Sequence, residues 1–247
     1  ARAAITTRQY AFGPASAGRT ARDRRCAPIL SQLLRRPVTV ALSRNLPQLV
    51  VLDRDGTLIT ETGYLLEGQP FELCPGAAAA VARLNNLGIP VAVATNQSAI
   101  GRGWLSEAGL SRIHAAIARQ LADQGARIDL WLFCAEHPSE GQGPYRRESA
   151  RRKPGPGMLL EAAAHFALDP GRCLSAGDSW RDLEAARAAG MPAWMVATGK
   201  AREEWHRALQ ALGRPPDLLP DLLALAALVE RGDWLPPARG TGVRAPA

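Results

Sequence analysis

Short apolar runs that end on polar clusters, separated by stretches of helical periodicity, limit what this chain can fold into. Residues 48–53, 89–95, 128–134, 172–176 and 193–196 are dominated by Val, Leu, Ile and Ala. Runs of this length and make-up fit strands buried on both faces. Helical segments lie between them. Pro75-Gly76 opens an Ala-rich helix that reaches Asn86 and is closed by Gly88, and Ser106 caps a longer helix that ends near Gln124, before Gly125. Further helices are expected over 156–166, 180–189, 201–212 and 219–229. Alternation of this kind predicts an α/β fold: an open, mainly parallel, doubly wound (Rossmann-like) sheet with helices on both faces.

Composition narrows the class without naming a function. Hydrophobic residues make up 47% and charged residues 21% of the 247 residues, as in a soluble globular protein. No apolar run reaches the ~18 residues of a membrane span. The net charge of +7 is local, because residues 1–47 hold nine arginines against Asp23 alone and leave the rest near neutrality. That segment reads as a basic, disordered extension. Contact with nucleic acid or anionic lipid, or a transit-peptide role, are the alternatives. A folded domain is expected over 48–231, with 232–247 as a flexible C-terminal tail. Cys26, Cys74, Cys134 and Cys173 show no paired spacing, which fits reduced thiols in a cytoplasmic protein. Cys74 and Cys173 read as small buried hydrophobes, and Trp104, Trp180 and Trp194 as packing residues.

The polar clusters at the strand ends carry the chemistry, since ligands of such sheets bind at the carboxyl ends of the strands. Asp53-Arg54-Asp55-Gly56-Thr57 follows the first strand and Thr95-Asn96-Gln97-Ser98 the second. Arg152-Lys153-Pro154-Gly155 ends the long loop after the third, and Gly177-Asp178-Ser179-Trp180-Arg181-Asp182 follows the fourth. Only two lysines occur against twenty-eight arginines, so an ammonium kept at Lys153 suggests a specific need. One carboxylate of the Asp53/Asp55 pair can attack phosphorus while the other serves as acid and then base. Two carboxylates repel a phosphate dianion, so a hard cation such as Mg²⁺ is needed, with Asp178 as a further oxygen ligand. Lys153 would neutralise phosphate and nucleophile together. The Thr95 hydroxyl and the backbone N–H groups of Asn96 and Gln97 would hold the equatorial oxygens.

These four motifs, in this order, resemble those of the haloacid dehalogenase superfamily. Thr95-Asn96-Gln97-Ser98-Ala99-Ile100-Gly101-Arg102-Gly103, Arg152-Lys153-Pro154-Gly155-Pro156-Gly157-Met158 and Ala197-Thr198-Gly199-Lys200 narrow the likeness to the heptose-bisphosphate phosphatases and the related histidinol-phosphatase branch. The resemblance spans about residues 48–230. It implies Asp53 as nucleophile, Asp55 as acid/base, and Mg²⁺ held by Asp53, Asp178 and the Asp55 carbonyl. It also implies either that Asp182 orients Lys153 or a metal-bound water, or that it is a helix-terminal carboxylate. Members of this branch bind zinc through Cys-X-His and Cys-X-Cys pairs in the loop after the third strand. Here those positions read Cys134-Ala135-Glu136, with His137 one place late, and Ser149-Ala150-Arg151. Too few ligands remain for a closed tetrahedral site, so no zinc is expected.

Neither inter-element loop is long enough for a cap domain. Of the arginines near the site, Arg102, Arg146, Arg147, Arg151 and Arg152, only Arg152 is expected to bind substrate. Lys200 reads as a loop cation. The leading reading is a monomeric, magnesium-dependent phosphatase of a small phosphate ester, heptose 1,7-bisphosphate being favoured. Histidinol phosphate or another sugar phosphate is the enzymic alternative, and a non-catalytic module that binds partners through its basic tail is the other class. Nucleic acid and membrane are not expected partners.

Overall fold

The computed structural model describes residues 45–236, and what the sequence suggests for 1–44 and 237–247 lies outside them. Six parallel strands form one sheet: β1 (Val50–Leu52), β2 (Val91–Asn96), β3 (Leu130–Cys134), β4 (Leu174–Gly177), β5 (Ala193–Val196) and β6 (Leu218–Leu219). Their order is β3-β2-β1-β4-β5-β6. Helices α1 (Ala77–Asn86), α2 (Ser98–Gly101), α3 (Glu107–Ala122), α4 (Gly157–His165), α5 (Trp180–Ala189), α6 (Ala201–Leu212) and α7 (Leu222–Arg231) complete the fold. This is the open, doubly wound sheet that the strand–helix alternation predicts.

The strand period of two explains the layers. Val50 and Leu52 pack with Val91, Val93 and the apolar faces of α1, α3 and α7, while Leu49 and Val51 pack with Ala92, Ala94 and the apolar faces of α4 and α5. Apolar side chains on both faces account for the unalternated runs in the sequence. Strand order reverses at β1, which has β2 on one side and β4 on the other. A crevice opens at the carboxyl end of such a switch point, and the residue after β1 is Asp53.

Two local expectations need correction. The two-residue strand β6 lies where the sequence suggested the start of a helix, and α7 starts at Leu222 with Asp221 capping the Ala224 N–H. Pro220 explains the delay, because it disfavours helical geometry in the residue before it. The polar cluster after β2 leads into a single helical turn, α2. Trp234, assigned above to a flexible tail, is 3% exposed; its indole N–H donates to the Asn45 carbonyl, and its own carbonyl accepts from Trp194. The two ends of the described segment are tied together there. Neither 57–76 nor 135–156 builds a cap domain; the second contains only a 3₁₀ turn, Gly143–Tyr145.

Candidate active site

The loops after β1, β2, β4 and β5, with the end of the long loop before α4, enclose a cleft of about 270 Å³. Asp53, Asp55, Thr95, Asn96, Gln97, Arg152, Lys153, Asp178 and Asp182 all line it. The structure therefore brings together every site residue that the sequence singled out. It adds Glu61, Tyr64, Ser98, Ser179, Arg181 and Lys200 to the wall.

Tight turns make this convergence possible. Gly56 has φ of +76°, and a Cβ there would collide with the Asp178 carboxylate. Gly199 sits equally close to Asp178, with its ideal Cβ position 2.7 Å from the Gly56 Cα. The Thr198 hydroxyl donates to the Gly56 carbonyl at 2.7 Å, binding the β1 and β5 loops to each other. Lys200, expected only as a loop cation, has two tasks here. Its backbone N–H donates to Asp178 Oδ2 at 2.7 Å, and its ammonium pairs with Glu61 at 2.9 Å.

Lys153 is 4% exposed and its ammonium donates to Asp53 Oδ1 at 2.6 Å and to Asp182. Asp182 also accepts the Ser179 N–H through Oδ2 and closes a capping box at the start of α5. Asp182 thus makes both sets of contacts: it caps the helix and it anchors the lysine. The Lys153 backbone is clamped by Asn96, whose carboxamide accepts from Lys153 N and donates to Lys153 O.

The expected phosphate cradle is arranged differently. The Gln97 N–H is already spent on the Cys134 carbonyl at 2.7 Å, and the Asn96 side chain is spent on Lys153. Gln97 faces the cleft through its carboxamide, whose nitrogen donates to Asp55 Oδ2 and to Thr95 Oγ1, each at 2.9 Å. The Thr95 hydroxyl keeps its own proton to offer to a ligand. Asp55 is also gripped by its neighbour Arg54, with Nε and Nη2 3.0 and 2.8 Å from Oδ1 and Nη2 2.8 Å from Oδ2. An arginine that points into the core and back onto the motif was not anticipated from the sequence.

Charge in the cleft is unbalanced. Asp53, Asp178 and Asp182 offer oxygens that all lie within 4.8 Å of one another, and Lys153 is the cation among them. Burial pushes the Asp53 carboxyl up to about 7 against the pull of Lys153, with Asp182 and Asp55 adding to the rise. Burial, then Asp53 and Asp182, push Asp178 up to about 8, although the Lys200 N–H and Lys153 oppose this. Burial alone would lower the Lys153 ammonium, but Asp182 and Asp53 outweigh it and hold it above its ordinary range. Both partners of one ion pair rise because burial, with Asp182 and Asp55, outweighs Lys153 at Asp53, while two anions outweigh burial at the lysine. An oxygen-only donor set with surplus negative charge suits a hard divalent cation.

The loop after β3 is held by ion pairs and hydrogen bonds. Glu136 accepts from Arg147 at 2.6 Å and from the Cys134 thiol at 3.2 Å, and Arg151 pairs with Glu161 and donates to the Phe133 carbonyl. Burial, then Glu136, pushes the Cys134 thiol up to about 11. His137 and Arg102 both pair with Glu140. Of Arg102, Arg146, Arg147, Arg151 and Arg152, only Arg152 lines the cleft, where Arg181 joins it; Arg146 is exposed. Cys74, Cys134 and Cys173 are buried free thiols, and Trp194 is packed in the core. Trp104 departs from the packing expectation: it is 52% exposed and stands edge-on to Tyr64, with the Arg102 guanidinium over both rings.

Comparison with known proteins gives the chain a family. A HAD-hydrolase-like family model matches residues 150–225. A D-glycero-beta-D-manno-heptose-1,7-bisphosphate 7-phosphatase of Mesorhizobium japonicum is 38% identical over 174 residues, covering 70% of this chain and 79% of the relative. Its counterpart in Pseudomonas aeruginosa is 36% identical over 184 residues, covering 72% and 96%. Among solved structures, a D,D-heptose 1,7-bisphosphate phosphatase from B. bronchiseptica, complexed with magnesium and phosphate, superposes with a TM-score of 0.65. It is 34% identical, over 74% of this chain and 98% of that one.

Proposed function

The chain belongs to the heptose-1,7-bisphosphate phosphatase family of the haloacid dehalogenase-like hydrolases, and on that premise we propose that it is a magnesium-dependent phosphatase releasing the 7-phosphate of D-glycero-D-manno-heptose 1,7-bisphosphate. The reading is carried by the convergence of Asp53, Asp55, Lys153 and Asp178 from separate loops on one anionic cleft. All the groups given a role here come from a single chain, so a monomer would suffice as the working unit. Buried, unpaired thiols fit a reducing compartment such as the cytoplasm. Among the described residues no helix is long and apolar enough to cross a membrane.

Asp53 and Asp178, with the Asp55 carbonyl, are the groups that would hold Mg²⁺. Asp182 is committed to Lys153 and Ser179 and supports the site from behind. When bound, the ion offsets the repulsion between the carboxylates and a phosphate dianion. Lys153 draws Asp53 toward its ionised form beside the incoming phosphoryl group and faces its developing charge. Arg152 stands at the wall for the remote anionic end of the substrate, and the Thr95 hydroxyl for an equatorial phosphoryl oxygen.

Chemistry then runs in two halves. An Asp53 oxygen bonds to phosphorus as the ester P–O bond breaks, and the Asp55 carboxyl gives its proton to the departing sugar oxygen. Water next attacks the aspartyl phosphate, Asp55 takes the water proton, and the bond from Asp53 to phosphorus breaks to free phosphate. The testing experiment is phosphate release from a panel of esters with Mg²⁺ or EDTA. The panel holds heptose 1,7-bisphosphate, histidinol phosphate and common hexose phosphates. Fastest Mg²⁺-dependent release from the heptose ester is expected; preference for another ester by tenfold or more would replace the substrate.

A further inference from the structure

We infer that Arg54, the residue between the two aspartates, is a positioning residue for the proton transfer made by Asp55. The inference rests on the phosphatase reading above. Arg54 is 1% exposed although it carries a permanent charge, and a buried guanidinium is tolerated only when a carboxylate pairs with it. Its ion-pair partner is Asp55, and the contact is a fork in which Nε and Nη2 reach both carboxylate oxygens at 2.8–3.0 Å. A fork of this kind fixes the plane of the carboxylate as well as its distance. Gln97 adds a fourth contact at Oδ2, from the opposite loop.

The other guanidinium nitrogen, Nη1, is buried without a hydrogen-bond partner among the described residues, so the fork to Asp55 is what orients the group. Asp55 itself is partly exposed at the cleft wall, where an unsupported side chain would sample several rotamers. A proton donor acts only when held within hydrogen-bond reach of the oxygen that leaves. The fork holds it there without touching substrate.

This role predicts a selective defect. An alkyl or sugar phosphate needs a proton on its leaving oxygen, whereas p-nitrophenolate departs without one. Arg54→Met and the charge-keeping Arg54→Lys are compared with wild type in Mg²⁺, after thermal melts establish which variants are folded. On a sugar phosphate, kcat is expected to fall about 100-fold or more, the scale of general acid catalysis, with KM little changed. On p-nitrophenyl phosphate, the single-turnover burst of p-nitrophenolate should fall by less than about tenfold. Arg54→Lys should share the selective loss, because an ammonium cannot make the fork. If Arg54→Met does not fold, Arg54→Lys carries the comparison. Equal losses on the two esters, or full activity in Arg54→Lys, would overturn the positioning role and leave the phosphatase reading standing. No Mg²⁺-dependent burst from wild type would instead overturn the phosphatase reading, and this inference with it.

Discussion

Replacing Asp178 by Asn should make the magnesium-free protein more stable, not less. The carboxyl is 2% exposed and is crowded by Asp53 and Asp182, which with burial raise it from 3.8 to about 8. Between about pH 4 and pH 8 the folded state keeps a proton that the unfolded chain has released. The stability tied to that proton is complete below about pH 4 and is lost as pH rises through about 8. At ~1.36 kcal/mol per pKa unit, the whole shift corresponds to roughly 5 kcal/mol at pH 8. Part of that crowding belongs equally to Asp53, so a gain of about 2–3 kcal/mol is expected on removing one charge. Asn keeps an oxygen to accept the Lys200 N–H, so the local hydrogen bond survives. For a domain of this size the gain amounts to a rise in Tm of roughly 5–10 °C. Thermal melts at pH 8 in EDTA measure it directly, with wild type also followed from pH 5 to pH 8. Mg²⁺ should raise the Tm of wild type and leave Asp178→Asn nearly unmoved. A lower Tm for Asp178→Asn in EDTA, or a wild-type apoprotein that gains stability from pH 5 to pH 8, would refute the electrostatic reasoning.

Further outcomes follow from the same geometry. Asp53→Asn should lose turnover on the order of 10⁴-fold or more with an unchanged circular dichroism spectrum. Lys153→Met leaves Asp53 and Asp182 facing each other without their cation, and should lower stability by about 3–5 kcal/mol in urea denaturation at pH 8. Gly56→Ala combines positive φ with a collision at Asp178. It should cost about 1–3 kcal/mol in the same assay and weaken the Mg²⁺-induced rise in Tm.

The sheet was legible because β1 to β5 are apolar runs buried on both faces, a pattern that few other structures share. Asp53, Asp55, Lys153 and Asp178 were legible because each follows a strand or its loop, and strand ends in a parallel sheet face one side. What the sequence could not disclose depends on contacts between distant segments. The β6 pairing involves two residues, too few for any periodicity, and α2 is one turn long. Gln97 looked like a backbone donor, yet its N–H is taken by Cys134 across the β2–β3 pair. Lys200 became part of the site only because Gly56 and Gly199 let two loops approach closely. Arg54 stood inside the motif throughout, but its burial depends on tertiary packing that no spacing signals. Pro220 and the apolar Trp234 were readable signals against an early α7 and a loose tail.

The central claim is that the phosphoryl group passes through Asp53. Mixing enzyme with Mg²⁺ and substrate labelled in the transferred phosphoryl group, quenching in acid and mapping the label onto peptides tests it most directly. Label on Asp53, absent without Mg²⁺ and absent in Asp53→Asn, is the result this account predicts. Label on another side chain, or turnover unimpaired in Asp53→Asn, would contradict it.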